Sequence, residues 1–315
     1  MLVGDFYLNK KQNFLTKPYT IISFALIACF LWGSAFPSIK IGYILFEIEK
    51  NDTYSKLLFA GYRFFISSIM IFLFCKLKGI SLKLTKDKLL QVSILGMLQT
   101  FIQYMLFYIG LSNVTGVKGS IISSSSTFFT VILAHFFYKE DKINLQKFLG
   151  VILGFTGVII VNMQKGNLTG GFTFTGEGFL VLSSIFGAFA GIYTKKLTKT
   201  INPFVVSGYQ LFTGSIGLIL ISLIGGAKTL NFTTGGSILL IYMGFISAMA
   251  FSLWSLLLKY NGVGKISIYK FSIPLFGVLL SYTFLKESFQ GVRVLISIIL
   301  VSIGIILINK EKKHI

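Results

Sequence analysis

Acidic residues are scarce in this chain: ten Asp or Glu stand against 29 Lys or Arg in 315 residues. The ten are Asp5, Glu47, Glu49, Asp52, Asp87, Glu140, Asp141, Glu177, Glu287 and Glu311, and each falls in an expected edge, connection or tail. An intramembrane enzyme needs clustered nucleophile, base or metal ligands. Here no carboxylate lies deep in an apolar run, and no catalytic dyad assembles. A carboxylate proton relay has no members either, which favours facilitated diffusion or exchange. Histidine adds little: His135 lies near the end of an apolar run and His314 in the tail. Proton coupling, if present, would involve His135 rather than a carboxylate. The two cysteines, Cys29 and Cys75, both sit in apolar runs, so no disulfide framework or metal-ligand spacing is available. No metal or cofactor is expected.

What the chain has is apolar length. Apolar and aromatic residues make up 54%, charged residues 12%, and mean hydropathy is +0.80. Those proportions describe an all-α polytopic membrane protein rather than a soluble core. A spanning helix needs about 20 mostly apolar residues. Ten such segments are read: 20–45, 57–75, 89–111, 119–138, 145–163, 178–197, 203–225, 236–258, 266–285 and 291–309. The connections are short and leave no room for a soluble domain. The net charge of +19 is that of loops facing anionic lipid. No nucleic-acid partner is expected, because that would need a basic patch on a soluble domain. The polar start, Met1 to Thr20, precedes an apolar run too long for a signal peptide, so the first helix is expected to be retained.

The chain repeats itself. Residues 118–162 align with 265–309 without a gap, at an offset of 147. Lys118 meets Lys265, Ser120 meets Ser267, Lys139-Glu140 meets Lys286-Glu287, and Gly157 meets Gly304. The same offset aligns Gly61-Tyr62-Arg63 with Gly208-Tyr209-Gln210. Two units follow, 20–163 and 178–309, joined by a glycine-rich linker, 164–177. Basic residues outside the spans divide 19 to 7 between the two sides, which puts both termini in the cytoplasm. Five helices per unit is an odd number, so the second unit enters from the opposite side. The fold class is therefore ten transmembrane helices as two inverted five-helix repeats around a central cavity. Many secondary transporters are built this way, with the substrate near the midplane.

Three basic residues lie inside expected spans: Lys40, Arg63 and Lys270. Intramembrane charge is costly and marks a candidate site. Lys40 and Lys270 lie near helix ends, where snorkelling to the headgroups is the competing reading. Arg63 is deeper, and its counterpart Gln210 is polar too, so Arg63 is expected to face a cavity. Gln99 and Gln103 are one turn apart, and Tyr104 and Tyr108 follow on a neighbouring face. Trp32, near mid-helix, could wall a pocket, while Trp254 reads equally as an interfacial anchor. The serines 123–126 and the glycines Gly187 and Gly191 read as helix-packing residues. The candidate substrate-binding set is Arg63, Gln99, Gln103, Tyr104, Trp32, Gln210 and Lys270. Every intramembrane charge in it is positive, which favours a carboxylate or zwitterionic amino acid. Aromatic faces leave an organic cation as the alternative. A channel would be expected to show a filter-like segment, and none is visible. Monomer and homodimer are not distinguished.

Trp32-Gly33-Ser34, Arg63, and the pair Phe137-Tyr138-Lys139-Glu140 and Phe284-Leu285-Lys286-Glu287 resemble the EamA-type units of the drug/metabolite transporter superfamily. The resemblance covers nearly the whole chain. It implies ten helices in two inverted repeats and transport of a small metabolite across the cell membrane, often efflux of amino acids or related compounds. The second unit departs from the pattern: Phe186-Gly187-Ala188 stands where Trp is common, and Gln210 replaces Arg. The implied pocket is asymmetric.

Overall fold

The computed structural model describes residues 14–138, 142–162, 172–286 and 291–309. Among them there is no strand. Where water is excluded, backbone N–H and C=O groups must be satisfied within the segment, and helices achieve that. The helical stretches are α1 Pro18–Leu45, α2 Thr53–Leu77, α3 Lys86–Ser112, α4 Gly116–Phe137, α5 Leu145–Asn162, α6 Phe174–Thr198, α7 Pro203–Ile224, α8 Thr234–Tyr260, α9 263–285 and α10 Gly291–Asn309. Seven of them, α1 to α4 and α6 to α8, are long and apolar enough to cross a membrane. The fifth, ninth and tenth expected spans contain shorter apolar helices, Leu145–Gly157, Ser272–Leu285 and Val292–Gly304. The protein is thus a polytopic membrane protein.

Short polar residues set the helix starts. The Asp52 side chain accepts from Ser55 N at 2.9 Å, which begins α2 at Thr53 rather than at 57. Thr115 and Thr233 cap α4 and α8 likewise, and Asn202 caps α7 with Pro203 in its first turn. Glycine ends two helices. Gly79 and Gly226 both have positive φ, +64° and +79°. The residue after each donates back into its helix: Ile80 N to Cys75 O and Ala227 N to Ser222 O, both 2.8–2.9 Å. This is a left-handed C-cap that a Cβ would strain.

Helices α4 and α9 are both interrupted. In α4 the break falls at Ser124 and Ser125, and in α9 a 3₁₀ turn, Ile268–Phe271, precedes Ser272–Leu285. Gly116–Ser123 packs on Ser272–Leu285, and Val263–Ser267 packs on Ser126–Phe137. Around this crossing α1 packs on α8 and α9, while α6 packs on α3 and α4. Helix α2 lies along α7, and α5 along α10. Small residues permit these approaches: a Cβ on Gly304 would come within 2.6 Å of Gly150 O.

The linker boundary differs from expectation. The linker read as 164–177 ends earlier, because α6 begins at Phe174 with a π-helical turn, Phe174–Gly178. Glu177, expected in that linker, is buried, and its carboxylate pairs with Lys118 on α4. It also accepts from Thr173 N at 2.7 Å and Thr173 Oγ1 at 3.0 Å. A carboxylate with these partners is favourable inside a helix start; without them it would stay in water. The Lys139-Glu140 pair and Glu287 lie outside the described residues.

Candidate functional site

A cavity forms where α1, α2, α3, α4, α6, α8 and α9 meet. It begins at mid-bundle beside Arg63 and Gln103 and runs toward the end where α6 and α8 finish, at Thr194 and Leu258. Its free volume is about 100 Å³.

Arg63 is 1% exposed and sits ten residues into α2. Its Nε donates to Ser247 Oγ at 2.9 Å and its Nη1 to Tyr108 OH at 3.1 Å. The guanidinium lies 5.0 Å from the Phe64 ring centroid. No carboxylate among the described residues pairs with it. Its second terminal nitrogen makes no hydrogen bond to a described residue, while the side chain lines the cavity. A buried guanidinium with two nitrogens bonded to neutral hydroxyls and its side chain on the cavity wall is a candidate contact for an anionic group.

Gln99 and Gln103 come from a π-helical turn in α3, Gly96–Ile102, and the residue after it. The turn arises where α7 presses against α3. A Cβ on Gly96 would lie 2.0 Å from Thr213 Oγ1 and 2.6 Å from Gln210 O, and one on Gly214 would lie 2.5 Å from Gly96 O. A π turn shifts later side chains around the axis, so Gln99, Gln103, Tyr104 and Phe107 all reach the cavity. Gln99 Oε1 accepts from Thr194 Oγ1 at 3.4 Å. Gln103 Oε1 is buried without a hydrogen-bond partner. Amides in that state favour a polar guest.

Lys270 lies on the 3₁₀ turn of α9 and lines the cavity. Its ammonium faces two indoles, 5.2 Å from the Trp254 centroid and 5.9 Å from that of Trp32. The rings themselves touch, with centroids 5.1 Å apart, and Phe251 packs edge-on against Trp32 at 5.6 Å. Snorkelling is therefore not what Lys270 does.

The structure thus brings together six of the seven sequence candidates: Trp32, Arg63, Gln99, Gln103, Tyr104 and Lys270. Gln210 is not among the cavity-lining residues. It is fully buried at the α3–α7 contact, with both amide atoms lacking a partner. Lys40 is also elsewhere, donating to Val114 O at 2.7 Å. His135 accepts from Ile143 N at 2.9 Å, outside the cavity. Trp254, readable as an anchor, is a cavity wall and 4% exposed. Ser123, Ser126, Gly187 and Gly191, read as packing residues, line the cavity as well. No Cβ contact within 4 Å would meet a side chain at Gly191, so that glycine opens space instead of closing it.

The profile of the EamA-like transporter family matches residues 19–163 and 174–310. The chain is 24% identical to the uncharacterized transporter YdfC of Bacillus subtilis (strain 168), over 82% of this chain and 80% of YdfC. It is 23% identical to an uncharacterized transporter of Archaeoglobus fulgidus, over 86% and 90% of the two chains. A WAT1-related chloroplastic protein of Arabidopsis thaliana, At3g02690, is 22% identical over 89% of this chain and 67% of its own. A solved crystal structure at 14% identity superposes with a TM-score of 0.71, covering 92% of this chain and 96% of that one, so it shares the fold. A helical membrane bundle with a polar central cavity, matched by that profile over most of its length, belongs to the EamA-like transporter family, and the chain is a multi-pass membrane transporter.

Proposed function

We propose that the protein carries a small polar metabolite, an amino acid or related carboxylate, across the cell membrane by alternating access. The observation that carries this reading is the buried Arg63 guanidinium, with no acidic partner among the described residues, on the wall of the cavity. A cation out of water is stabilised by an anion, and Arg grips a carboxylate through parallel hydrogen bonds. A water needs roughly 10–15 Å³ of such free space, so the cavity fits a guest of about seven to ten non-hydrogen atoms. The organic-cation alternative is weakened by Lys270, whose ammonium already faces the two indoles. A ligand cation would have to displace it.

The ten helical stretches are best read as ten spans, in two inverted units, 20–163 and 178–309. Several correspondences at the 147-residue offset support this. Gly79 and Gly226 cap α2 and α7 in the same way, and the breaks in α4 and α9 fall at equivalent positions. The helix partners also exchange: α1 with α9 mirrors α6 with α4, and α1 with α8 mirrors α6 with α3. On the 19-to-7 division of basic residues, the cavity runs toward the cytoplasm.

The test is counterflow in proteoliposomes. Preloaded amino or carboxylic acids should accelerate entry of the labelled acid and saturate, whereas a pore would do neither. If only quaternary amines exchange, the carboxylate reading is wrong. Orientation is tested separately by a membrane-impermeant thiol reagent on intact cells. A cysteine replacing Asn51 should react and one replacing Lys83 should not; the reverse pattern inverts the assignment.

A further inference from the structure

We infer that the cavity selects a substrate with two separated anionic groups, one held by Arg63 and the other by Lys270. This rests on the carboxylate reading above and narrows it to dianions, away from the zwitterionic amino acids that reading also admits. Two cations line one cavity, and no Asp or Glu is among the residues that line it. Neither cation is neutralised by the described residues. Arg63 spends two of its nitrogens on neutral hydroxyls, Ser247 and Tyr108. Lys270 makes no hydrogen bond to a described residue and rests on the faces of Trp32 and Trp254. An aromatic face stabilises an ammonium but accepts no proper hydrogen bond, so its three donors remain available.

The two cations sit on different helices of the cavity wall and share none of the contacts described: Arg63 has Ser247, Tyr108 and Phe64, and Lys270 has Trp32 and Trp254. From Arg63 a run of ring contacts leads through Phe64, Tyr104 and Phe251 to Trp32 and so to Lys270. The centroid distances are 4.4 Å, 6.2 Å and 5.6 Å in turn. A compact anion such as inorganic phosphate touches one end only. A monocarboxylate leaves the other cation uncompensated. A zwitterionic amino acid does worse, because its ammonium would enter a cavity that already holds two positive groups in a low dielectric. A short dicarboxylate meets both, with its carbon chain against Trp32, Tyr104 and Phe251.

The experiment compares three probes of similar length on purified full-length protein in lipid nanodiscs: glutarate, butyrate and 4-aminobutyrate. Binding is read from concentration-dependent thermal stabilisation. One additional charge-assisted contact should favour glutarate over butyrate by at least about tenfold, with 4-aminobutyrate weakest. Lys270→Gln should erase the glutarate advantage over butyrate, and Lys270→Arg should keep it. Wild-type protein that binds butyrate, 4-aminobutyrate or phosphate as tightly as glutarate overturns the two-anion inference while leaving the carboxylate reading intact. A glutarate preference that survives in Lys270→Gln also overturns it. If no carboxylate stabilises the wild-type protein and amines do, both readings fall.

Discussion

Replacing Arg63 with glutamine is expected to abolish saturable transport while the protein still reaches the membrane and purifies as a folded bundle. The substitution removes the charge and three of the five N–H donors but keeps a shorter, polar amide. The repeat supplies a precedent for its packing, since Gln210 occupies the equivalent position in α7 and is fully buried. A hydrogen bond to a charged group contributes about 1.5–3 kcal/mol, which is about 10- to 150-fold in affinity. Arg63→Lys should fall between wild type and glutamine. Lysine keeps the charge but cannot hold Ser247 and Tyr108 while also presenting a fork to the substrate. Uptake kinetics in proteoliposomes, normalised to reconstituted protein, measure the effect. Transport within twofold of wild type in Arg63→Gln would make the residue structural.

The second large effect is expected at the Lys118–Glu177 pair, which ties the start of α4 to the start of α6. It lies at the end of the bundle opposite the cavity's mouth. Asn113 on the same end bonds Thr175 O at 3.3 Å, and Gly110 lies so close to α6 that a Cβ would sit 2.9 Å from Gly176 O. The pair therefore ties α4 to α6 where α3 also approaches, and we expect it to hold this end shut. Glu177→Gln removes the carboxylate that pairs with Lys118. Breaking a buried pair costs about 3–5 kcal/mol, and the lower figure applies because the Lys118 side chain is 19% exposed. The closed state should lose population accordingly. A Val114→Cys reporter, 9% exposed as valine, should then react with a thiol reagent at least about tenfold faster, as a shift of 1.4 kcal/mol already implies. Lys118→Met with Glu177→Gln, which removes both charges, should react at an intermediate rate. Equal rates in all three proteins would remove the pair from any gating role. In the sequence Lys118 is matched by Lys265, but α1, the counterpart of α6, contains no acidic residue.

The sequence was least informative where side-chain direction matters. Lys40, Arg63 and Lys270 are equally conspicuous as charges in apolar runs, yet two line the cavity and one binds a carbonyl of the α3–α4 connection. Gln99 and Gln103 were visible as an amide pair. The π turn that carries Gln99 was not visible; it begins at Gly96, where α7, more than a hundred residues on in the sequence, packs closely. The same contact turns Gln210 away from the cavity. Trp254 and Lys270 each allowed two readings while considered alone, and their mutual contact decided both. Glu177 looked like a linker residue because its partner Lys118 is 59 positions away.

By itself the sequence determined that this is a helical membrane protein, because burial in lipid depends on apolar length and composition, which add along the chain. It also showed a stretch of similar sequence recurring at an offset of 147, and three basic residues inside the expected spans, since both can be read residue by residue. Only the tertiary structure decided which polar groups share one cavity, which are spent on packing, and which acid is buried. Those outcomes depend on the rotation of each helix about its axis. That rotation is set by glycine and serine contacts between helices far apart in sequence, and by the need of each buried charge to find a partner or a guest.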